Sequence, residues 1–372
     1  MCAGGEADEA RRAAPRPAEG PAVDPITLDP VDEVVLTTLV DNSYDGLMED
    51  AGPARRARLS GLPTVPAPQF AELRTFPGLV AEHGFSALVT VRRGRTTHTL
   101  LFDTGVSPDG LATNAARLGI DAGTIEAVVL SHGHFDHAGG FVGLSRLCAG
   151  RALPLTVHPL VWTRRRFAVP GSPEWALPTL SRSALEAEGF GVIERREPSL
   201  LLDGSLLLTG EVDRTTEFEH GLPFHEAWHG GGWEPDSLIV DEQALVAHVR
   251  GQGLVVLTGC GHAGAVNIAR HALRLTGVDH LHALLGGFHL GGAAFEPLIE
   301  PTVAALTKLG PDALVPAHCT GWKAQQRLAS ALPDAFVPGA VGTSYTFAAA
   351  PERQHGGGEP RPAQRGANRA AR

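Results

Sequence analysis

Hydrophobic residues recur along this chain at two spacings, and segments of the two kinds alternate. Short runs rich in valine, leucine and isoleucine are typical of strands, whereas apolar residues three to four positions apart are typical of helices. Strands are predicted at 34–40, 85–91, 98–103, 125–130, 153–157, 243–249, 253–259, 280–287, 313–318 and 344–347. Helices are predicted at 108–118, directly after His137, and at 265–277, 297–309 and 322–332. This alternation favours an α/β fold built from layers with mixed sheets.

Three stretches of the chain lack that alternation. Residues 1–30 and 350–372 consist mainly of Ala, Pro, Gly and charged residues, and such segments cannot offset their ordering entropy by burial. We expect both ends to be disordered and the folded domain to span 31–349. Within it, residues 159–235 are rich in Arg, Pro, Trp and Gly with weak periodicity, which predicts an irregular, lid-like region over the core. Its tryptophans could supply flat apolar walls for a substrate. They are Trp162, Trp175, Trp228 and Trp233.

Composition narrows the class of protein. The 372 residues are 43% hydrophobic and 19% charged with a formal net charge of −10, which argues against a general affinity for nucleic acid or anionic membranes. No apolar stretch reaches the about 18 residues of a membrane span, and the first residues lack the apolar segment of a signal peptide. Four cysteines are too few for a disulfide framework. We therefore expect a cytoplasmic enzyme of one large or two smaller domains.

The segment SHGHFDHAGG, directly after the predicted strand 125–130, carries the strongest chemical signal. In extended backbone, residues two apart point the same way, so His132 and His134 can bind one metal ion. The chain then turns, so Asp136 and His137 can face a second ion beside the first. Imidazole nitrogen and carboxylate oxygen suit zinc, iron or manganese. The two glycines that end the segment predict a tight turn before the next helix.

The same residues resemble a known family. HGHFDH is similar to the HxHxDH signature of the metallo-β-lactamase superfamily, and LLFDTG, with Asp103, resembles its first motif. The resemblance implies a four-layered αββα sandwich, in which two mixed sheets pack face to face with helices outside. It also implies that Asp103 supports a ligand by hydrogen bonding instead of binding metal itself. Further similarity in GEVDRTTEFE, TGCGHAG, GGFHL and AHCTG indicates a branch that contains metal-dependent hydrolases and the archaeal dihydropteroate-synthase-like protein of methanopterin biosynthesis.

The remaining ligands follow from this resemblance, with one departure. Most members carry an aspartate that bridges both ions after a strand, but here the corresponding strand ends in the sequence CGH. We favour His262 as a ligand, His318 as the last ligand, and His289 as either a ligand or a substrate contact. Alternatively, Cys260 occupies the bridging place and a group from the irregular region completes the site. The candidates for that group are His220, His225, His229 and Asp236.

The resemblance implies two divalent metal ions, with zinc favoured over iron or manganese and a single ion left open. Such ions lower the pKa of bound water toward neutrality from about 15.7 and polarise a substrate oxygen. Asp136 would hold the second ion and take part in proton transfer, with Asp103 in support. We expect hydrolysis of a small polar substrate, with pterin or ribosyl-phosphate chemistry as one option. The run Arg164–Arg166 is interpreted as a solvated surface, with a phosphate pocket as the alternative.

Three other functions stay open at this point. A phosphodiesterase or nuclease fits the superfamily, although the negative charge argues against large nucleic acids. A dihydropteroate-synthase-like transferase fits the branch. A non-catalytic metal-binding module is the third, but structural zinc sites are closed, and the many candidate ligands favour an open site for two ions. The expected partner is a small molecule, without membrane or nucleic acid, and the oligomeric state is left open.

Overall fold

Two β-sheets lie at the centre of the structure, a computed structural model that describes residues 24–350. These described residues form twenty strands and seven α-helices. The strands are β1 (Glu33–Val40), β2 (Ala54–Arg56), β3 (Val65–Pro66), β4 (Arg74–Thr75), β5 (Ser86–Arg93), β6 (Thr96–Phe102), β7 (Ala127–Val129), β8 (Leu153–Val157), β9 (Arg165–Phe167), β10 (Trp175–Ala176), β11 (Phe190–Glu194), β12 (Ser199–Leu201), β13 (Leu206–Leu208), β14 (His225–His229), β15 (Gly232–Pro235), β16 (Leu245–Val249), β17 (Gly253–Thr258), β18 (Leu281–Gly287), β19 (Ala313–Ala317) and β20 (Thr343–Ala348). The helices are α1 (Gly110–Leu118), α2 (Phe135–Ala138), α3 (Phe141–Leu147), α4 (Arg182–Ala187), α5 (Ala265–Thr276), α6 (Ile299–Leu309) and α7 (Trp322–Ala331).

Both central sheets are mixed. The larger one has the strand order β11-β8-β7-β6-β5-β1-β20-β2, in which β6, β7, β8 and β11 are parallel and the other pairs antiparallel. The second sheet has the order β12-β13-β16-β17-β18-β19, and its last three strands are parallel. Parallel neighbours need crossover connections, and α5 and α6 provide them between β17, β18 and β19.

Alternating side chains separate the two faces of each sheet. In β17, Val255 and Leu257 belong to the core between the sheets, where they join Val89 and Phe102 of the larger sheet. Val256 faces the other way and packs with α5, α6 and α7. The outer face of the larger sheet is covered by α1, α3 and α4. The four-layered αββα arrangement predicted from the resemblance is therefore confirmed.

Residues 159–235 consist of short elements joined by loops, and the structure shows how these elements pair. β9, β10, β14 and β15 form a separate four-stranded sheet. β11 extends the larger central sheet, and β12 and β13 extend the second. These strands have two to five residues each. Such short strands carry little periodicity, and their partners lie far away in sequence, so the local pattern does not reveal them.

The packed chain begins before the predicted domain. Leu28 is buried, and the Ile26 N–H donates a hydrogen bond to the Leu275 carbonyl (2.7 Å). Part of the segment expected to be disordered therefore packs against α5. Residues 1–23 and 351–372, the rest of the two predicted disordered ends, lie outside the described residues. Among residues 24–350, no helix combines the length and the apolar character that crossing a bilayer requires.

Candidate metal centre

The predicted site residues gather at one edge of the two central sheets, where several strands end. The segment His132–His137 follows β7, while His262, His289 and His318 follow β17, β18 and β19. Because these last three strands are parallel, their carboxyl ends meet at the same edge. Packing of the sheets brings the end of β7 there as well, so the ring centroids of His132 and His262 are 4.9 Å apart.

Three of the predicted ligands form a first group of imidazoles. His134 Nδ1 lies 3.1 Å from His262 Nε2, and the ring centroids of His132 and His134 are 4.6 Å apart. Nitrogen ligands of a tetrahedral zinc ion, bound at about 2.0–2.1 Å, lie about 3.3 Å from one another. The spacing of His134 and His262 therefore fits two ligands of one ion.

A second group lies beside the first. Asp136 Oδ2 is 3.3 Å from His318 Nε2 and 3.9 Å from His137 Nε2. Burial alone would raise the pKa of the Asp136 carboxyl, but His137 and His318 hold that pKa well below its usual range. An ionised carboxylate next to two imidazoles suits a second divalent cation.

Cys260 lies between the two groups. Its Sγ is within 4.8 Å of ring nitrogens of His132 and His262, and also within 4.8 Å of ring nitrogens of His137 and His318. The thiol thus lies where two neighbouring ions would both be in reach. Burial raises its pKa well above the usual value, but coordination to a cation deprotonates a thiol.

His289 approaches the centre on the side of the cysteines. Its Nδ1 lies 3.2 Å from Cys260 Sγ, and that sulfur lies 3.0 Å from Cys319 Sγ. The ring of His289 is also close to that of His262, with centroids 4.3 Å apart. The structure therefore also brings Cys319 into contact with the centre.

Hydrogen bonds anchor one nitrogen of the imidazoles that follow β7. Asp103 Oδ2 accepts a hydrogen bond from His137 Nδ1 (2.7 Å) and another from the Ser131 hydroxyl (2.7 Å). Because this hydroxyl gives its proton to Asp103, Ser131 Oγ accepts from His132 Nδ1 (2.9 Å). Both histidines therefore hold an Nδ1 proton toward these partners, and Nε2 of each ring faces the centre. Asp103 has the supporting position that the resemblance implied.

Residues after β1 anchor the second group from the other side. The Asp41 carboxylate accepts a hydrogen bond from the His318 backbone N–H (2.8 Å), and Asn42 Oδ1 accepts from His318 Nδ1 (3.1 Å). The Asn42 amide donates to His83 Nδ1 (3.1 Å), so the proton of His83 lies on Nε2, 3.7 Å from Asp136 Oδ2. Sequence reasoning missed Asp41, Asn42 and His83. A polar pair directly after a predicted strand was the available signal for the first two.

Four buried ring nitrogens of the histidines around the centre have no hydrogen-bond partner within residues 24–350. They are Nε2 of His132, His137 and His318, and Nδ1 of His262. A buried polar atom without a partner costs about 1–3 kcal/mol, so a cluster of them points to a ligand. Burial also lowers the pKa of His132, His134 and His262 well below the usual value. These imidazoles are therefore neutral, which is the form that binds metal, and the residues fit divalent ions.

A buried ion pair holds the loop of the first two histidines. Asp241 accepts hydrogen bonds from the Gly133 N–H (2.9 Å) and from both terminal nitrogens of Arg165 (3.0 and 2.5 Å). Arg165 is 3% exposed. For this residue, the predictions of a solvated surface and of a phosphate pocket are therefore both wrong. Arg164 and Arg166 lie nearer the surface, over the ring of Trp233. The hydrophobic pattern gave no sign of a buried arginine, because its partner lies 76 residues away.

A second buried carboxylate holds the turn after β17. Glu242 accepts hydrogen bonds from the backbone N–H groups of His262 (2.8 Å) and Ala263 (2.5 Å). Arg214 lies on the other side of the turn and donates to the His262 carbonyl (3.0 Å). Burial raises the pKa of Glu242 and lowers that of Arg214. The turn that carries His262 is therefore held through its backbone, which leaves the imidazole free to face the centre.

The two glycines after HGHFDH lie in the predicted turn before α3, and they also allow close packing. Their φ angles are −68° at Gly139 and −88° at Gly140, which any residue adopts. A Cβ at Gly139 would lie 1.8 Å from the Val106 carbonyl oxygen, and one at Gly140 would lie 2.1 Å from that of Thr104. Only glycine allows this approach. It brings the segment that follows Asp103 against the metal-binding loop.

Three residues of the site have left-handed backbone conformations. Asp103, His289 and His318 have φ angles of 59°, 44° and 48°. This region costs a non-glycine residue of order 1–3 kcal/mol, and such residues cluster at functional sites. The surrounding contacts hold all three in place, and their side chains reach the centre as a result.

Of the four candidate ligands from the region 159–235, His225 reaches the centre. Its Nε2 lies 3.1 Å from His134 Nε2, and its Nδ1 donates to the Asp236 carbonyl oxygen (3.0 Å). Asp236 therefore lies behind His225. His220 and His229 are exposed.

Aromatic side chains form a wall beside these imidazoles. Phe167 is stacked on Trp175, with ring centroids 5.6 Å apart, and its edge meets His225 at 5.2 Å. Phe135, from the HGHFDH segment, contacts the other side of Trp175 at 5.9 Å. The other tryptophans of the predicted wall contact Glu194 or Arg164 instead: Trp162, Trp228 and Trp233. Trp175 is therefore the predicted aromatic wall residue that the structure places near the centre.

A cleft opens next to His262 of the first group. It is partly open to solvent. Its lining includes Glu219, Gly261, His262, Phe288, His289 and Phe295. A small molecule in this cleft would contact an imidazole of the centre directly.

The sequence profile of the Metallo-beta-lactamase superfamily matches residues 81–266 of this chain. The chain belongs to this superfamily. The match includes the loop that carries His132 and the turn that carries His262. Proteins of the superfamily are largely enzymes, and their fold usually binds divalent metal ions.

Individual relatives agree with the superfamily assignment. The 7,8-dihydropterin-6-methyl-4-(beta-D-ribofuranosyl)-aminobenzene-5'-phosphate synthase of Methanocaldococcus jannaschii is 30% identical over 254 residues, which are 66% of this chain and 83% of that protein. An uncharacterized protein of the same organism is 30% identical over 265 residues, 70% of this chain and 92% of that protein. The crystal structure of Tm1679, described as a metal-dependent hydrolase of the beta-lactamase superfamily, has a TM-score of 0.63 at 24% identity and covers 85% of this chain and 99% of that one. The superfamily, its methanopterin-related branch and the fold are therefore as predicted.

Proposed function

We propose that this protein is a metal-dependent hydrolase that uses water to cleave a bond in a small polar substrate in the cytoplasm. The observation that carries the proposal is the group of buried ring nitrogens that converge around Cys260 and, among residues 24–350, have no partner. A structural metal site is closed by protein ligands. Here a cleft that is partly open to solvent reaches the imidazole of His262.

We assign the ligands to two ions, and Cys260, which lies between the two groups, would help to hold the ions. The first ion would be held by His132, His134 and His262. The second ion would be held by Asp136, His137 and His318. Imidazole and thiolate donors favour zinc, with iron or manganese as alternatives. Bound ions of this kind supply an acidified water and a polarised substrate oxygen.

The surrounding residues orient these groups. Asp103 and Ser131 hold His137 and His132 with Nε2 toward the centre, as their hydrogen bonds require. Asp136 would hold the second ion and take part in proton transfer. The Nε2–H of His83 faces Asp136, which favours the ionised form of the carboxylate. The side chain of His83 is 65% exposed, so this side of the site is open to solvent.

For the substrate we propose a flat heteroaromatic ring of the pterin class. Phe135, Phe167 and Trp175 form an aromatic wall on one side of the centre. His289 and Phe295, whose ring centroids are 4.6 Å apart, line the cleft on the other side. Aromatic faces stack favourably on such rings. We therefore assign His289 as a substrate contact instead of a ligand. The name of the Methanocaldococcus jannaschii synthase also includes a dihydropterin.

The experiment that tests hydrolysis starts by stripping the protein of metal with a chelator. It is then reloaded with zinc, manganese or iron and assayed with phosphodiester, lactone and thioester substrates, each with and without a pterin group. We expect activity toward one class to return in proportion to the metal bound. Protein that regains its metal but hydrolyses none of these substrates would contradict the proposal.

A transferase is the second candidate, because the synthase relative is 30% identical over 83% of its own length. The same reloaded protein is incubated with a pterin diphosphate and an aminobenzene ribosyl phosphate. Formation of a joined product, without hydrolysis of either compound alone, would favour the transferase over the hydrolase.

The role of Cys260 as a ligand has its own spectroscopic test. Cobalt in place of zinc gives a thiolate-to-metal absorption band when a cysteine is a ligand. We expect Cys260→Ser to abolish this band. Cys148→Ser is the matched control, since Cys148 is a buried thiol in the core beneath α3. A band that survives in Cys260→Ser and disappears in Cys319→Ser would assign the ligand to Cys319 instead.

A further inference from the structure

A second group, of two histidines and one aspartate, lies at the amino ends of β18 and β19. The metal centre lies at the opposite, carboxyl ends of these strands. His280 and His282 flank the first residue of β18, and Asp312 directly precedes β19. Both rings contact the same oxygen, because Asp312 Oδ2 lies 2.7 Å from His280 Nε2 and 2.7 Å from His282 Nδ1. The three potential ligand atoms lie within 4.8 Å of one another.

This group is separate from the catalytic centre. His289 and His318 follow the carboxyl ends of β18 and β19, whereas the second group lies at their amino ends. A strand rises about 3.3 Å per residue, so the length of β18 puts about 20 Å between the two places. A ligand at one place therefore cannot touch the other.

Backbone pairing and packing hold the three side chains near one another. A register shift between β17 and β18 interrupts the regular alternation at this point, and the rings of His280 and His282 lie with their centroids 6.5 Å apart. The parallel pairing of β18 and β19 places Asp312 beside them. The His280 carbonyl accepts a hydrogen bond from the Leu254 N–H (2.9 Å), and the ring of His282 packs on Phe347 with centroids 5.5 Å apart. Little movement is needed for all three to contact one ligand.

The chemistry of the group favours a transition-metal cation. Two imidazole nitrogens and one carboxylate oxygen are a donor set for zinc, copper or nickel. The side chains of His280 and Asp312 are 43% and 51% exposed, so an ion held there would keep water in its remaining positions. Each ring would bind through the nitrogen that now faces Asp312, with its proton on the other nitrogen.

We propose that His280, His282 and Asp312 form a peripheral binding site for one divalent transition-metal ion, distinct from the catalytic centre. An ion held there ties the start of β18 to the segment before β19, and thereby adds a link at the amino end of the parallel strands.

The test counts metal ions on protein whose catalytic centre is already filled. Zinc-loaded protein is dialysed to equilibrium against increasing free zinc, and bound zinc per chain is measured by elemental analysis. We expect the wild-type chain to bind one equivalent more than the double variant His280→Asn/His282→Asn. The control is His98→Asn, which removes a single histidine that pairs with a carboxylate, Glu126, at 2.9 Å. This control should retain the additional equivalent.

Copper provides a second readout that does not depend on counting. Electron paramagnetic resonance of one added equivalent of Cu²⁺ should show hyperfine coupling to two imidazole nitrogens in the wild-type chain and should lose it in the double variant. Asp312→Asn, which preserves side-chain size, should weaken binding with unchanged circular dichroism and catalytic activity. Equal zinc content and identical copper spectra in the wild type, the double variant and Asp312→Asn would overturn the proposal.

Discussion

Histidines and aspartates meet at both ends of β18 and β19, but the two groups differ in their surroundings. At the carboxyl ends, His132, His137 and His318 are buried, and each has one nitrogen anchored by Ser131, Asp103 or Asn42. At the amino ends, His280 and His282 contact Asp312 directly and lie closer to solvent. The same residue types thus form a buried centre with oriented imidazoles in one place. In the other place they form two histidine–carboxylate contacts that lie nearer to solvent.

The difference shows that the surroundings of a ligand matter as much as its identity. An anchored imidazole has its tautomer and its ring orientation fixed before any ion arrives. Burial lowers the pKa of His132 and so keeps it neutral, and it strengthens electrostatic interactions with a bound substrate. At the exposed group, water competes for the same donors. We therefore expect the buried group to support catalysis and the exposed group to support binding alone.

Removal of a buried ligand should have the largest effect. His132→Ala deletes a ring nitrogen that faces the centre, so we expect loss of bound metal and a fall in kcat/KM beyond the roughly 100-fold that marks supporting residues. Elemental analysis and kinetic assays on the active substrate measure both. His282→Asn is the matched change in the exposed group and should leave kcat/KM unchanged. A comparable loss of activity in both variants would contradict the division between the two groups.

Removal of the buried arginine should mainly reduce stability. Arg165→Met leaves the fully buried Asp241 carboxylate without its cation, and breaking a buried pair from one side costs about 3–5 kcal/mol. Urea unfolding of the metal-loaded protein measures this cost. Arg182→Gln, in an exposed pair with Glu186, should leave the unfolding midpoint unchanged. A midpoint for Arg165→Met equal to that of the control would show that Asp241 does not depend on this arginine.

Loss of a supporting carboxylate should have an intermediate effect. Asp103→Asn preserves size but weakens the hold on His137 Nδ1 and Ser131, and partners of this kind contribute about 10–100-fold to metal affinity or activity. Competition with a chromogenic chelator measures the affinity of the catalytic centre. Asp312→Asn, the same substitution in the exposed group, should not change it. Wild-type affinity in Asp103→Asn would remove Asp103 from the proposed mechanism.

Loss of the aromatic wall should have the smallest effect. Trp175→Ala removes one stacking surface, which is worth about 0.5–1.5 kcal/mol and so raises KM about 2- to 12-fold for a ring-containing substrate. The value of kcat and the metal content should stay the same. Trp322→Ala removes a tryptophan that is 65% exposed at the start of α7, and it should leave KM unchanged. An unchanged KM in Trp175→Ala would argue against a flat ring on this wall.

The HGHFDH segment shows how far local spacing reaches. Its position after a strand and its two-residue spacing predicted that His132 and His134 would face the same centre, and the structure places them together. The alternation of apolar residues also predicted the long strands of both central sheets. These features depend on backbone geometry over a few residues, which the local sequence controls.

Other features depend on contacts between distant parts of the chain. Arg165 and Asp241 are 76 residues apart, and His318 and Asn42 are 276 apart. No local pattern reports such pairs, because packing of the two sheets decides which strand ends meet. The pairing of the short strands in residues 159–235 could not be predicted for the same reason.

The sequence by itself determined the superfamily, the long strands and helices, and the residue types able to bind metal. The tertiary structure alone decided that Cys260 lies between the two groups of ligands, that His225 and His83 reach the centre, and that Arg165 is buried. The reason is physical. Local periodicity fixes which face a side chain occupies, whereas its neighbours across the centre depend on how the two sheets pack, and that packing involves the whole domain at once.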